Sequence, residues 1–291
     1  MKKPNFLIIG ANKAGTSSLH NYLNQHPQIF MSDVKEPMYF VNVYSKRDEI
    51  YTESLKRTLK DAVQELDSYL SLFANASNEI AIGESSTAYL ANKSSATKIA
   101  DFNPEMKIIA ILRNPIKRAY SNYLMYKRWG FEKRSFKKAV FDEINGKHLQ
   151  YPQGMRYLTL GKYSESLQEF YSVFPKSQIK IFLFEDFKNK TENMMKEIYS
   201  FLGVNENVQM DLKTVHNGSD NAYYYNLFVK LNHNSNLRNV VEKVLPAFII
   251  NLMKKKPELT PELIGVINNY LKDDIKKTSE LINKNLDHWL K

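Results

Sequence analysis

The stretch FLIIGANKAGTSSL, Phe6 to Leu19, constrains this chain more than any other. A short apolar run rich in isoleucine ends at Gly10, a second glycine follows at Gly15, and Thr16, Ser17 and Ser18 open a helical pattern. A strand, a turn of small residues and a helix start, in that order, form a cradle of backbone N–H groups for an anion such as a phosphate. A nucleotide hydrolase of the P-loop type places Lys directly after its second glycine, followed by Ser or Thr for Mg²⁺. Here Lys13 stands ahead of Gly15 and Thr16 occupies the lysine's place.

Four apolar runs have the length and β-branched content of buried parallel strands: Phe6 to Ile9, Ile80 to Ile82, Lys107 to Leu112 and Ile179 to Phe184. Helical patterns lie among them at Ser17 to Asn24, Leu55 to Phe73, Pro115 to Arg128, Tyr163 to Phe174 and Thr191 to Leu202, the last stopped by Gly203. The alternation predicts an α/β fold with a central, mainly parallel sheet flanked by helices, and ligands at the carboxyl ends of the strands. From about residue 221 to residue 291 the strand signal disappears and the pattern is helical, with Thr260-Pro261 as a helix start. No repeat or Gly/Ser linker divides the chain, so residues 1–291 read as one domain with a helical C-terminal portion.

The residues after each strand are therefore the candidates for chemistry. After the third run, Asn114 reads as an N-cap and Pro115 as the first helical residue, which leaves Arg113 at the sheet's carboxyl edge. At 3.6 residues per turn, positions 114, 118 and 121 share a helix face. Arg113 and Ser121 can thus converge on a second phosphate, the one as a fork of donors and the other as a compact one. A hydrolase ends such a strand with an acid for its metal, whereas this strand ends with Arg. The segment Val34 to Phe40 (VKEPMYF) sets Lys35 and Glu36 among apolar residues, where partial burial and a neighbouring cation tune a carboxylate for proton transfer. The second run leads into GESSTAY, which places Glu84 and Tyr89 at the same edge as candidate acceptor contacts, Glu84 being equally suited to cap a helix or turn.

Composition narrows the alternatives. A formal charge of +10 at pH 7 favours encounters with nucleotides, acidic glycans, nucleic acids or anionic headgroups without choosing among them. There is no cysteine, hence no disulfide, thiolate nucleophile or Cys-bound metal, as suits a reducing compartment. The histidines at 20, 26, 148, 216, 233 and 288 show no metal-ligand spacing, and no GxSxG elbow is present. The apolar start is shorter than the roughly seven to fifteen residues of a secretion signal, and Val244 to Met253 falls short of the ~18 of a membrane span. A cytoplasmic protein is the expectation, with Val244 to Lys256 as a basic, apolar segment suited to peripheral membrane contact. On these residues a rearranged P-loop kinase or ATPase, and a noncatalytic binder of nucleic acid or acidic glycan, remain open beside a transferase.

Together, KAGTSSL after a strand, RNPIKRAYSNY, KEPMYF, GKYSESLQEFYSVFPKSQIKIFLFEDF and the closing LDHWLK resemble the sulfotransferases that use 3′-phosphoadenosine 5′-phosphosulfate (PAPS). The resemblance is to the bacterial enzymes and the heparan-sulfate and Golgi-type branch, and it covers nearly the whole chain. It implies a P-loop-NTPase-like three-layer fold and sulfuryl transfer to a hydroxyl or amino group, by in-line displacement without a metal, leaving PAP. It further implies that Lys13 touches the phosphosulfate, that Ala14, Gly15, Thr16, Ser17 and Ser18 hold the 5′-phosphate, and that Arg113 and Ser121 hold the 3′-phosphate. Glu36 becomes the base, and Lys35, Glu84 and Tyr89 acceptor contacts. The implied acceptor is a glycan or lipid-linked glycan, with no nucleic-acid partner. Where the family often carries a KGR-type loop closing over the cofactor, this chain reads LKTVHNGS, so Lys213, His216 and Asn217 stand in the corresponding place.

Overall fold

The computed structural model describes residues 2–41, 56, 59–208, 211, 222, 224, 231 and 233–291. Five parallel strands form one sheet: β1 (Phe6–Gly10), β2 (Ile29–Met31), β3 (Ala81–Ser85), β4 (Lys107–Leu112) and β5 (Ile179–Leu183). Their order is β2-β3-β1-β4-β5, with Leu7 in register with Glu84 on one side and Ile108 on the other. Every residue of β1 is buried, as a central strand covered on both faces requires. The four predicted strands are present. The fifth, β2, has only three residues and is too short to carry a periodic signal.

Helices cover the sheet: α1 (Thr16–Leu23), α2 (Leu66–Ser71), α3 (Ser95–Phe102), α4 (Pro115–Trp129), α5 (Phe136–Ile144), α6 (Ser164–Val173), α7 (Phe184–Asn189) and α8 (Thr191–Leu202). The C-terminal portion adds α9 (Ser235–Val244), α10 (Ala247–Lys254) and α11 (Pro261–Ile282). Local chemistry sets the ends. Asn114 Oδ1 accepts from the N–H groups of Ile116 and Lys117 at 3.0 and 3.1 Å, ahead of Pro115, and Thr260 caps α11 in the same way through Leu263 N–H at 3.3 Å. Gly203 ends α8 with φ 80°.

Two expectations change. Residues 55, 57 and 58 of the helix predicted over 55–73 lie outside the described residues, and the described part is interrupted: Val63 N–H donates to the Pro37 carbonyl at 2.8 Å instead of to its own turn, and α2 starts only at Leu66. Phe184, expected as a strand residue, instead opens α7.

From β1 the chain passes through α1 to β2 on one side of the sheet, and from β4 through α4 to β5 on the other. The crevice between the carboxyl ends of β1 and β4 is therefore the topological switch point, where doubly wound sheets bind ligands. Helix α11 packs into the same core as the sheet through Leu263, Ile267, Leu271 and Ile275, a stripe at helical spacing. Asp274 of α11 accepts from Tyr163 N–H at 2.8 Å and from the Ser164 hydroxyl at 2.6 Å, so one helix caps the start of another. The chain end closes on the sheet edge: Asn114 Nδ2 donates to the Trp289 carbonyl at 3.0 Å, and Trp289 Nε1 donates to Glu185 at 2.7 Å. Among the described residues no helix is long and apolar enough to cross a membrane.

Candidate active site

The anion cradle sits at the switch point. Gly15 takes φ 88° immediately before α1, and a Cβ there would lie 2.9 Å from the Phe187 ring, so both backbone and space demand glycine. Ala14 is fully buried and Thr16 nearly so, while Ser17 and Ser18 are half-buried at the head of α1, whose first N–H groups have no acceptor within the helix. Lys13 also lies in the left-handed region, with φ 67°.

Arg113 spans the crevice. Its Nη1 donates to the Lys13 carbonyl at 2.7 Å, and the guanidinium lies 4.7 Å from the centre of the Phe184 ring. Tyr163 fixes it from behind by donating its hydroxyl to the Arg113 carbonyl at 2.8 Å. The Nε of Arg113 is buried with no acceptor in the described protein. Lys13 Nζ lies 3.7 Å from Met125 Sδ. Burial above all, then the charges of Arg128, Arg113, Lys35 and Arg118, push the Lys13 ammonium down to about 8. So many cations around one half-buried lysine repel one another, and an anion among them relieves that repulsion.

The segment after β2 is strapped along the end of β3. Glu36 N–H donates to the Ser85 carbonyl at 2.9 Å and Met38 N–H to Ser86 Oγ at 3.0 Å. This path holds Glu36 at φ 61° and Met38 at φ 53°, conformations that cost non-glycine residues on the order of 1 kcal/mol or more each and persist only where the surroundings impose them. The Glu36 carboxylate accepts from Thr87 N–H at 2.8 Å, from Thr87 Oγ1 at 3.0 Å and from Lys35 Nζ at 3.0 Å. Its side chain stays 23% exposed.

Glu84 and Tyr89 differ from the acceptor contacts expected of them. Both are fully buried, and the Tyr89 hydroxyl donates to Glu84 Oε1 at 2.6 Å, with Tyr69 adding a longer bond at 3.4 Å. Burial drives the Glu84 carboxyl up to about 7, the nearby Glu36 charge adding to it and the hydroxyls of Tyr89, Ser86 and Tyr69 opposing it. The pair forms the interior behind Glu36, because β3 is buried on both faces up to its last residue.

Ser121 is half-buried two turns along α4. Arg118, on the same predicted face, points inward with no exposure and donates through Nη2 to the Tyr157 carbonyl. Lys213, His216 and Asn217 lie outside the described residues. Sequence reasoning missed Thr87, Tyr163, Met125, Arg128 and the aromatics Phe184 and Phe187. Phe184 was within reach: it follows β5 directly, where strand-end residues of such sheets line ligands. Among the described residues no group of three or more His, Asp or Glu side chains is placed to hold a metal ion.

Fold and site define a doubly wound α/β protein with a glycine turn at the head of α1 and, near the same sheet edge, a carboxylate, Glu36, held by Thr87. The sulfotransferase domain family matches residues 3–279, and the chain belongs to that family of enzymes, which carry out sulfuryl transfer. A crystal structure of a sulfotransferase from Alicyclobacillus acidocaldarius is similar over 100% of both chains, with a TM-score of 0.78 at 26% identity. Carbohydrate sulfotransferase 15 of Mus musculus is 25% identical over 252 residues, covering 69% of this chain and 44% of that protein. The bifunctional heparan sulfate N-deacetylase/N-sulfotransferase 4 of Mus musculus is 27% identical over 207 residues, 69% of this chain and 22% of its own length. The membrane-associated sulfotransferase kil1 of Dictyostelium discoideum is 32% identical over 126 residues, 43% of this chain and 24% of that protein. The chain thus spans less than half the length of these curated relatives.

Proposed function

We propose that this sulfotransferase takes PAPS as its donor and sulfates a hydroxyl or amino group of a carbohydrate, free or lipid-linked, with Glu36 as base. The observation that carries the reading is the Arg113–Lys13 bridge across the β1/β4 crevice, within a cluster of cations that includes Lys35, the partner of the Thr87-clamped Glu36. The residues fit the donor. A phosphosulfate and a 3′-phosphate bring several negative charges, which suits a crowded cationic site and an Arg113 Nε with no partner among the described residues. The carbohydrate acceptor rests on the relatives named for glycan sulfation.

Each residue then has a distinct task. The N–H groups at the head of α1, with Ala14, Gly15, Thr16, Ser17 and Ser18, hold the 5′-phosphate, and Arg113 with Ser121 holds the 3′-phosphate. When bound, the donor supplies a sulfuryl group on a phosphate leaving group. Glu36 takes the proton from the acceptor O–H or N–H as that atom attacks, so that no alkoxide forms unaided. Lys13 carries positive charge where the departing phosphate oxygen gains negative charge, which electrostatic preorganisation makes effective in a half-buried site. Lys35 Nζ, 3.0 Å from Glu36 Oε1, helps to fix the carboxylate's orientation. Cationic side chains and helix N–H groups provide the neutralisation without assigning any step to Mg²⁺.

Equilibrium binding of PAP and ADP, each with and without Mg²⁺, tests the reading. The expected result is PAP binding that ignores Mg²⁺, together with transfer of label from radiolabelled PAPS into a glycan fraction. Tight Mg²⁺-dependent ADP binding with no affinity for PAP would replace it with a nucleotide kinase or ATPase.

A further inference from the structure

Helices α9 and α10 form a hairpin that stands apart from the main core. Its inner face packs Val241, Leu245 and Ile249 around Leu231 and Met253, in a small cluster of its own. Glu242 of α9 bridges Arg238 at 3.1 Å and Lys254 of α10 at 2.8 Å, which ties the two helices together. The base of the hairpin is fastened to the catalytic half of the molecule, since the Tyr120 hydroxyl of α4 donates to the Pro257 carbonyl.

The outer face is apolar as well, which folding alone does not explain. Leu237, Val240 and Val244 recur at helical spacing along α9 with exposures of 47, 58 and 74%, and Phe248 and Leu252 continue along α10 at 71 and 62%. Exposure rises toward the tip from both sides, and Pro246 and Ala247 at the turn are exposed too. These five make up half of the ten large hydrophobic residues exposed among the described residues, within a span of sixteen positions. Scattered exposed apolar residues need no explanation, but a concentrated ridge with a graded tip marks a surface that something covers.

The charges say what covers it. Lys243 is exposed beside the tip, and Lys255 and Lys256 are exposed where α10 ends. Across Ser235 to Lys256 there are five basic residues and one acid, Glu242, which is already engaged within the hairpin. An apolar ridge rimmed by lysines is the pattern of a segment that lies in a bilayer interface, the ridge among acyl chains and the cations among anionic headgroups. A helix of eight residues is about 12 Å long, so Lys255 and Lys256 stay near headgroup depth when the tip is shallowly inserted.

We infer that the α9–α10 hairpin docks this enzyme on an anionic lipid surface, tip first, through Val244 and Phe248 with Lys243 and Lys255 at the rim. The inference does not rest on the donor or acceptor proposed above, and α4 is held beside the surface whatever the acceptor is.

Flotation of the whole chain with vesicles tests it, in the absence of any nucleotide. Vesicles of phosphatidylcholine with a minority of phosphatidylglycerol should carry the protein up, pure phosphatidylcholine vesicles far less, and added salt should weaken the binding. Val244→Glu with Phe248→Glu should reduce vesicle affinity about a hundredfold while leaving the melting temperature and PAP binding unchanged, since both side chains are solvent-exposed. Lys243→Gln with Lys255→Gln should abolish the preference for phosphatidylglycerol. Failure to float with the anionic vesicles, or equal flotation of the Val244→Glu/Phe248→Glu protein, overturns the inference. So does a concentration-dependent dimer in light scattering that the same double variant dissolves, because the ridge then covers a second copy of the chain.

Discussion

Thr87 holds both oxygens of Glu36, its N–H at 2.8 Å from Oε2 and its hydroxyl at 3.0 Å from Oε1. A carboxylate that must take a proton along one direction gains from such a two-point hold, because misorientation lowers the rate steeply. Replacing Thr87 by Val keeps the N–H bond and the shape but removes the hydroxyl donor. Turnover should fall about tenfold, the scale of one hydrogen bond to a charged group, with the KM for PAPS unchanged. Thr87→Ser should restore it. Glu36→Gln should cost roughly a hundredfold or more in turnover while PAP still binds, as loss of a general base does. Equal kinetics for Thr87→Val and the parent enzyme would remove Thr87 from this role.

Arg113 meets the cradle through the Lys13 carbonyl, yet its Nε finds no acceptor among the described residues. If that donor serves the proposed 3′-phosphate, its loss gives a selective defect. Arg113→Ala should weaken PAP at least about tenfold more than adenosine 5′-phosphosulfate, which lacks the 3′-phosphate, on the scale of a charge-assisted hydrogen bond. Comparable losses for the two ligands, measured by calorimetry, would mean that Arg113 only braces the loop.

Much of this layout could be read from the chain because each piece carried a local signal. The all-buried strands gave apolar runs, Asn114-Pro115 and Thr260-Pro261 gave caps, and the rule that ligands collect at strand ends led to Lys13 and Arg113, whereas Glu36 stood out as a charged residue in an apolar segment. What escaped depends on contacts between distant positions. Val63 abandons its helix for Pro37, Asp274 caps a helix 110 residues earlier in the sequence, and Glu185 receives Trp289. None of these has a local pattern. Glu84 was misread for a related reason: at a strand end an acid can face the ligand or the interior, and only the positions of Tyr69 and Tyr89 decide.

Glu84 makes stability depend on pH. Its carboxyl titrates at about 7 in the folded chain, above the usual 4.5. Between those values the folded state keeps a proton that the unfolded state has released, so stability is greatest below about 4.5 on this account and is lost as pH rises toward 7. A shift of that size corresponds to about 3 kcal/mol at most. Glu84→Gln, which retains an acceptor for Tyr89, should flatten this limb of the stability curve and raise the urea midpoint at neutral pH. An unchanged slope across pH 4.5 to 7 in the variant would show that the carboxyl titrates elsewhere.

Lys13 should impose the opposite limb on catalysis. Burial and the surrounding cations lower its ammonium from 10.5 to about 8, so in the free enzyme its charge is lost just above neutral pH. Folding favours the neutral amine, and without ligand the stability contribution of Lys13 rises between about 8 and 10.5. A bound anionic donor reverses this by placing negative charge beside the amine and raising its proton affinity. The kcat/KM for PAPS, which reports the free enzyme, should therefore stay level below about 8 and fall above it, while the corresponding limb in kcat moves to higher pH. In Lys13→Arg the guanidinium keeps its charge, so the alkaline limb should vanish even though the maximal rate drops. PAP titrations by calorimetry in buffers of different ionisation heat should show proton uptake on binding near that pH in the parent and none in Lys13→Arg. An alkaline limb that persists unmoved in Lys13→Arg would assign the titration to another of the clustered groups.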